Sequence, residues 1–280
     1  MHWADVIAER LSERDGKHVI ASGITPSGEF HIGHLREILT ADIIYRACKA
    51  KPLDVEFIFV VDSADPLRKV YDFLDPEYEQ YIGHQLGNIP APDENGKPGD
   101  GSRKYSEHFL NPFMSALKQI GVEPVIVDNL ESYREGKFAN AARIACENVE
   151  QVRKIIESKS GRELDDDWYP YNPKDSRGSL DGVKVSGYEW PHVHWEDSHG
   201  EKGSADLRTD DGKLPWRLDW PAKWAFLGVT CEPYGKDHGS AGGSYSTGRE
   251  LVQLFGSEPP LPLVYEWILL KGVGAMSSSE

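Results

Sequence analysis

Two apolar stretches flanking a single helix constrain this chain more than any other feature of its sequence. Residues 17–23 (KHVIASG) read as a short buried strand and residues 55–61 (VEFIFVV) as a second. Between them, residues 25–28 (TPSG) form a tight turn, and residues 32–49 read as an amphipathic helix with Leu35, Leu39 and Ile43 on one stripe. Strand, helix and strand in that order make a βαβ unit, expected to be parallel and right-handed, the first half of a nucleotide-binding fold.

The helix opens with His31-Ile32-Gly33-His34. A helix's first turn has unpaired N–H groups and the positive end of the dipole, so it is a natural seat for phosphate, and i, i+3 spacing puts both imidazoles on one side. Histidines also occur at helix starts simply as caps, and the residues alone leave both readings open.

Further along, the pattern predicts an amphipathic N-terminal helix over residues 3–15 and a Pro-, Gly- and Asp-rich loop over 74–101, long enough to be functional. A helix over 105–120, a strand over 124–128 and a long helix over 138–158 follow. Residues 165–212 turn to Gly, Asp, Ser, His and Trp with short alternating runs such as Val183-Lys184-Val185, which suggests inserted hairpins. The α/β order then resumes with helices over 220–227 and 245–255 and strands over 230–233 and 264–270. The expected division is 1–75 as the first half of the fold, 76–215 as a helical and hairpin region with one core strand, and 216–280 as the second half.

Composition bounds the function. With 46 acidic against 31 basic residues, the net charge of −15 excludes broad adhesion to DNA or an anionic membrane, so any RNA contact must be local. The helical stretch 143–159 is locally basic and reads as a solvated face. The longest apolar runs are of strand length, and the first helix lacks a secretory apolar core, which gives a cytoplasmic expectation. Cys48, Cys146 and Cys231 lie far apart with no CxxC pair and read as ordinary buried thiols.

Four motifs stand in order: TPSG-x-x-HIGH at 25–34, RLDWPAKW at 217–224, EPYGKDH at 232–238 and AMSSS at 275–279. Together they resemble the class I aminoacyl-tRNA synthetases, most closely the class I lysyl-tRNA synthetases, across essentially the whole chain. The resemblance implies an α/β, Rossmann-like parallel-sheet nucleotidyl-transferase (HUP-type) domain with an inserted α/β-hairpin region. It implies ATP, with its Mg2+, and L-lysine as substrates, and tRNA(Lys) as acceptor. It assigns the phosphates to His31 and His34, close approach of the adenine to Gly33 with Gly28 serving likewise, and a place in the ATP site to Pro26. Asp237 would accept the ribose hydroxyls beside Gly235. Gly23, Thr25, Trp220, His238 and Tyr265 match the family's amino-acid pocket. A lysine pocket also needs an anion for the ammonium, and Asp62 and Asp65, at the end of the second strand, are either that anion or solvated loop carboxylates.

Two departures qualify the resemblance. The inserted region lacks the family's Cys/His pairs, so no structural zinc is expected, and His192, His194 and His199 read as hairpin residues rather than ligands. In the phosphate-binding loop at Met276, Ser277 and Ser278, Ala275 and Ser278 stand where the family has lysines, which leaves Lys271 as the nearest substitute cation. The family continues from this loop into a helical anticodon-binding domain, none of which lies in these 280 residues, so weak tRNA binding is expected. Transfer of lysine to another acceptor, and a degenerate nucleotide- or lysine-binding role, remain the alternatives.

Overall fold

The computed structural model describes residues 2–272 and 274–275. In chain order the elements are α1 (Trp3–Ser12), β1 (His18–Ile24), α2 (Ile32–Lys49), β2 (Val55–Val61), α3 (Tyr105–Gln119), β3 (Val125–Asp128), α4 (Asn129–Arg134), α5 (Ala139–Glu147) and α6 (Val149–Ser160). The inserted strands β4 (Asn172–Pro173), β5 (Val183–Glu189), β6 (His192–Asp197), β7 (Lys202–Asp206) and β8 (Gly212–Lys213) follow. The chain resumes with α7 (Trp216–Leu227), β9 (Cys231–Gly235), α8 (Lys236–Gly239), α9 (Ser244–Leu254) and β10 (Leu261–Tyr265), then β11 (Leu269–Leu270) and β12 (Gly274–Ala275).

Five parallel strands form the central sheet in the order β10-β9-β1-β2-β3. Both faces are covered, as the period-2 alternation of a strand requires. Ile20, Ile24, Phe57, Phe59 and Val61 pack with α1, α2 and α3 through Leu11, Ile38, Ile44 and Leu117. Val19, Ala21, Ile58 and Val60 face Trp220 and Trp224 of α7 and Val252 of α9. The hairpin region forms its own antiparallel sheet, β5-β6-β7.

The chain runs outward from β1 to β3 and returns on the other side as β9 and β10, so the order reverses between β1 and β9. A parallel sheet opens a crevice at such a reversal, outside the carboxyl ends of its strands. Strands β1 and β9 pair in register at Ile20 and Cys231, with the Thr230 N–H donating to Val19 O just before.

Several expectations need correction. Ile43 is exposed, and the buried stripe of α2 is Ile38, Ala41, Ile44 and Cys48. The helix expected over 138–158 is two, broken where Asn148 takes φ −129° and ψ 40°. Helix α7 starts four residues earlier than its apolar pattern suggests, at Trp216. The strand expected over 264–270 is instead β10 at Leu261–Tyr265; Pro262 lies within it, which an edge strand tolerates. The three cysteines are buried and free. Among the described residues no helix is long and apolar enough to cross a membrane.

Candidate active site

A cavity of about 330 Å³ opens at the sheet's reversal point. Its walls bring together Gly23 from the end of β1, His31, Gly33 and His34 from the start of α2, Trp220 from α7, and Gly235, Asp237, His238 and Tyr265 from the β9 and β10 side. These nine are residues the sequence nominated. Pro26 and Gly28 lie in the turn before α2 but do not line it.

The two histidines cap the helix and also line the cavity. His31 is the N-cap of α2: its Nδ1 accepts the Gly33 N–H at 3.0 Å, while His34 Nδ1 accepts the His31 N–H at 3.1 Å. With both Nδ1 atoms accepting, each neutral ring carries its proton on Nε2, the atom left for a ligand. Burial, with His31 4.0 Å away between ring centroids, pushes the His34 pKa down to about 4, and burial also lowers that of His31. Both rings are therefore neutral donors near pH 7. Gly33 has its own reason here, since a Cβ would come within 2.7 Å of the folded-back His31 ring. Likewise a Cβ at Gly235 would meet Asp237 Oδ1 at 2.5 Å.

Asp237 is half-exposed, accepts the Trp267 Nε1–H at 3.2 Å and stands 3.4 Å from His238 Nε2. His238 Nδ1 lies 2.7 Å from Ser244 Oγ, and its pKa is lowered chiefly by burial. Trp216 and Trp220 stack at 5.4 Å and flank the His238 ring, forming an apolar wall.

The carboxylates nominated for an ammonium are each paired with a lysine of this chain and do not line this cavity. Asp62 is bound to Lys223, and Asp65 to Lys213 and to the Thr25 hydroxyl at 2.7 Å. Asp219 joins both lysines at 3.1 and 3.6 Å, and Tyr133 donates to it at 2.6 Å. Burial opposes charge on Lys223, but Asp62 and Asp219 outweigh it and keep the lysine protonated. Burial raises Asp62 to about 6 even so. This network is a floor beneath the cavity, and it takes Asp62, Asp65 and Thr25 out of its lining.

Two other carboxylates line the cavity instead, Glu37 and Glu232. Glu37 accepts from the Tyr265 hydroxyl and the Gly23 N–H, yet burial, with Glu232 nearby, raises its pKa to about 8. Glu232 accepts from the Trp220 and Trp224 indoles and is raised by burial. The signal for Glu37 was periodicity: three residues after His34, it falls on the same face of α2. Glu232 lay within the EPYGKDH motif, three residues upstream of Gly235.

Lys271 is exposed between β11 and β12 and does not line the cavity. Met276, Ser277 and Ser278 lie outside the described residues, as does any role for them. Among the described residues no group of three or more His, Cys, Asp or Glu side chains is arranged to hold a metal ion.

A parallel doubly wound sheet with a histidine-capped helix start and a carboxylate-lined cavity at its reversal point has the architecture of an α/β nucleotide-binding domain. The chain belongs to the class I tRNA synthetases: the family model described as tRNA synthetases class I (K) matches residues 1–280. It is 46% identical over 283 residues to the lysine–tRNA ligase of Methanosarcina barkeri and 46% identical over 281 residues to that of Picrophilus torridus. The lysine–tRNA ligase of Thermoplasma acidophilum is 44% identical over 281 residues. Each alignment covers 100% of this chain but only 51%, 54% and 54% of the relative, so the chain spans about half the length of the proteins it matches.

Proposed function

We propose that this chain activates L-lysine with ATP, forming lysyl-adenylate for transfer to tRNA(Lys), in the cytoplasm. The observation that carries the reading is the pairing, in one cavity, of a histidine-capped helix start with two lining carboxylates, Glu37 and Glu232, against an aromatic wall. Phosphates at the start of α2 would meet the positive end of its dipole and the Nε2–H of His31 and His34. The ribose would take Asp237, displacing Trp267 Nε1 from it. The lysine stem would lie along Trp216 and Trp220 while Glu37, with Glu232 behind it, receives the ammonium.

In this reading a lysine carboxylate oxygen attacks the α-phosphorus, the bond to the bridging oxygen breaks, and pyrophosphate leaves with Mg2+, which arrived on the triphosphate. A ribose hydroxyl of the acceptor then attacks the carbonyl and AMP departs. The protein does no covalent work. Its histidines stabilise charge that grows on phosphate oxygens, an effect worth several kcal/mol when the donors are fixed in advance, and here the cap bonds fix them.

Lysine-dependent exchange of labelled pyrophosphate into ATP tests the reading. Exchange with lysine and none with arginine, glutamate or tyrosine is expected; equal exchange with all four, or none with lysine, removes it.

A further inference from the structure

A second cavity, of about 350 Å³, adjoins the first and shares Trp216, Asp237 and His238 with it. Arg162, just past α6, and Arg217, in the first turn of α7, form one wall; the small-residue turn 240–244 forms the other. Arg217 Nη1 donates to Thr247 Oγ1 at 3.1 Å and Nη2 to Gly242 O at 3.4 Å, which fixes the guanidinium and leaves three of its five N–H groups over. Burial, then the charge of Arg162, lowers the pKa of Arg217. Among the described residues neither arginine has a carboxylate within ion-pair distance, in a chain with 46 acidic and 31 basic residues. Two unneutralised guanidiniums facing one cavity repel each other, and an anion between them relieves that cost. The one carboxylate on the wall, Asp237, is already engaged with Trp267 and His238.

The shared wall decides which anion. A ligand seated here continues past His238 into the cavity where the adenylate would form. A strand of RNA has that form, with phosphodiesters outside and a terminal ribose at the reacting carbonyl. We infer that the Arg162–Arg217 cavity holds a phosphodiester of the acceptor's single-stranded 3′ end, an assignment that rests on the lysine-ligation reading. Arg217 grips it bidentately, and Arg162, exposed at the mouth, neutralises it.

The test uses the 280-residue chain and an acceptor-stem RNA hairpin with a single-stranded CCA 3′ tail, compared by fluorescence anisotropy with the same hairpin lacking the tail. The wild-type chain should prefer the tailed hairpin. Arg162→Ala, at an exposed position, and Arg217→Lys, which keeps the charge but not the fork, should each weaken tailed binding by roughly fivefold to tenfold and leave tailless binding unchanged. Arg162→Ala should also flatten the salt dependence by about 0.7 in slope. Equal losses for both hairpins, or none, overturn the assignment. So does a raised KM for ATP or pyrophosphate with RNA binding intact, which would make the site one for free phosphates. A chain that shows tail-dependent, Arg162-dependent binding but no lysine-dependent exchange would retain the site and lose the lysine-ligation reading.

Discussion

Replacing Glu37 by Gln isolates the group on which lysine selection is proposed to rest. Glu37 faces the cavity with its pKa raised to about 8, among Glu232, Asp62, the Tyr265 hydroxyl and the Gly23 N–H. At pH 7 the empty site therefore holds Glu37 mostly protonated, and ionising it costs about 1.4 kcal/mol, one pH unit below its pKa. An arriving ammonium must supply that energy and expel the proton. Lysine affinity should rise about tenfold from pH 6 to pH 7 and level off above pH 8, with close to one proton released per lysine at pH 7. His34, at about 4, does not titrate in this range. At pH 8.5, Glu37→Gln removes a charge-assisted contact of about 1.5–3 kcal/mol, a loss of roughly ten- to a hundredfold in lysine affinity with ATP affinity unchanged. Isothermal titration calorimetry in buffers of differing ionisation enthalpy reads affinity and proton count together. Lysine binding that is independent of pH and unaffected by Glu37→Gln would remove Glu37 as the ammonium's partner.

Other perturbations follow from the same geometry. Because Glu37 holds its proton more tightly folded than unfolded, its stabilisation is present below about pH 4.5 and is lost as pH rises through 8; Glu37→Gln should raise Tm at pH 9 and leave it unchanged at pH 4, by calorimetry. His34→Ala should slow pyrophosphate exchange about a hundredfold, while costing about 1 kcal/mol of stability through the lost cap; a large activity loss restored by His34→Asn would mean that only the cap mattered. Asp237→Ala should raise the KM for ATP more than that for lysine, and the reverse would move Asp237 to the amino-acid side. Lys223→Met leaves Asp62 and Asp219 without their shared cation and should cost about 3–5 kcal/mol in denaturant unfolding; a loss under 1 kcal/mol would show the network is not held by charge.

Local periodicity made the first half of the fold legible: α2 and β2 lie where their patterns end, at Ile32–Lys49 and Val55–Val61. It misled where local preference was overridden. Asn148 is a weak breaker inside a continuing apolar pattern, so the α5–α6 break left no mark. The strand expected over 264–270 pairs instead at Leu261–Tyr265, where an edge position tolerates Pro262. At the site, motif positions identified the residues at the ends of β1 and β9 and the start of α2. What they could not give was pairing across the chain. Asp65 and Asp62 sat at a strand end as a pocket anion would, but Lys213 and Lys223, 148 and 161 positions away, fold back onto them. Glu37 carries no mark of its own in the sequence, since an acid on an amphipathic helix ordinarily faces water.

In the proposed reaction lysine's carboxylate attacks the α-phosphorus of ATP at the start of α2. Incubating the chain with α-labelled ATP, lysine and hydroxylamine tests it at the bond that breaks. Lysyl-hydroxamate and AMP in equal amounts, both dependent on lysine and both lost in His34→Ala, are the predicted products. ADP with inorganic phosphate, or AMP formed without lysine, would contradict the proposed reaction.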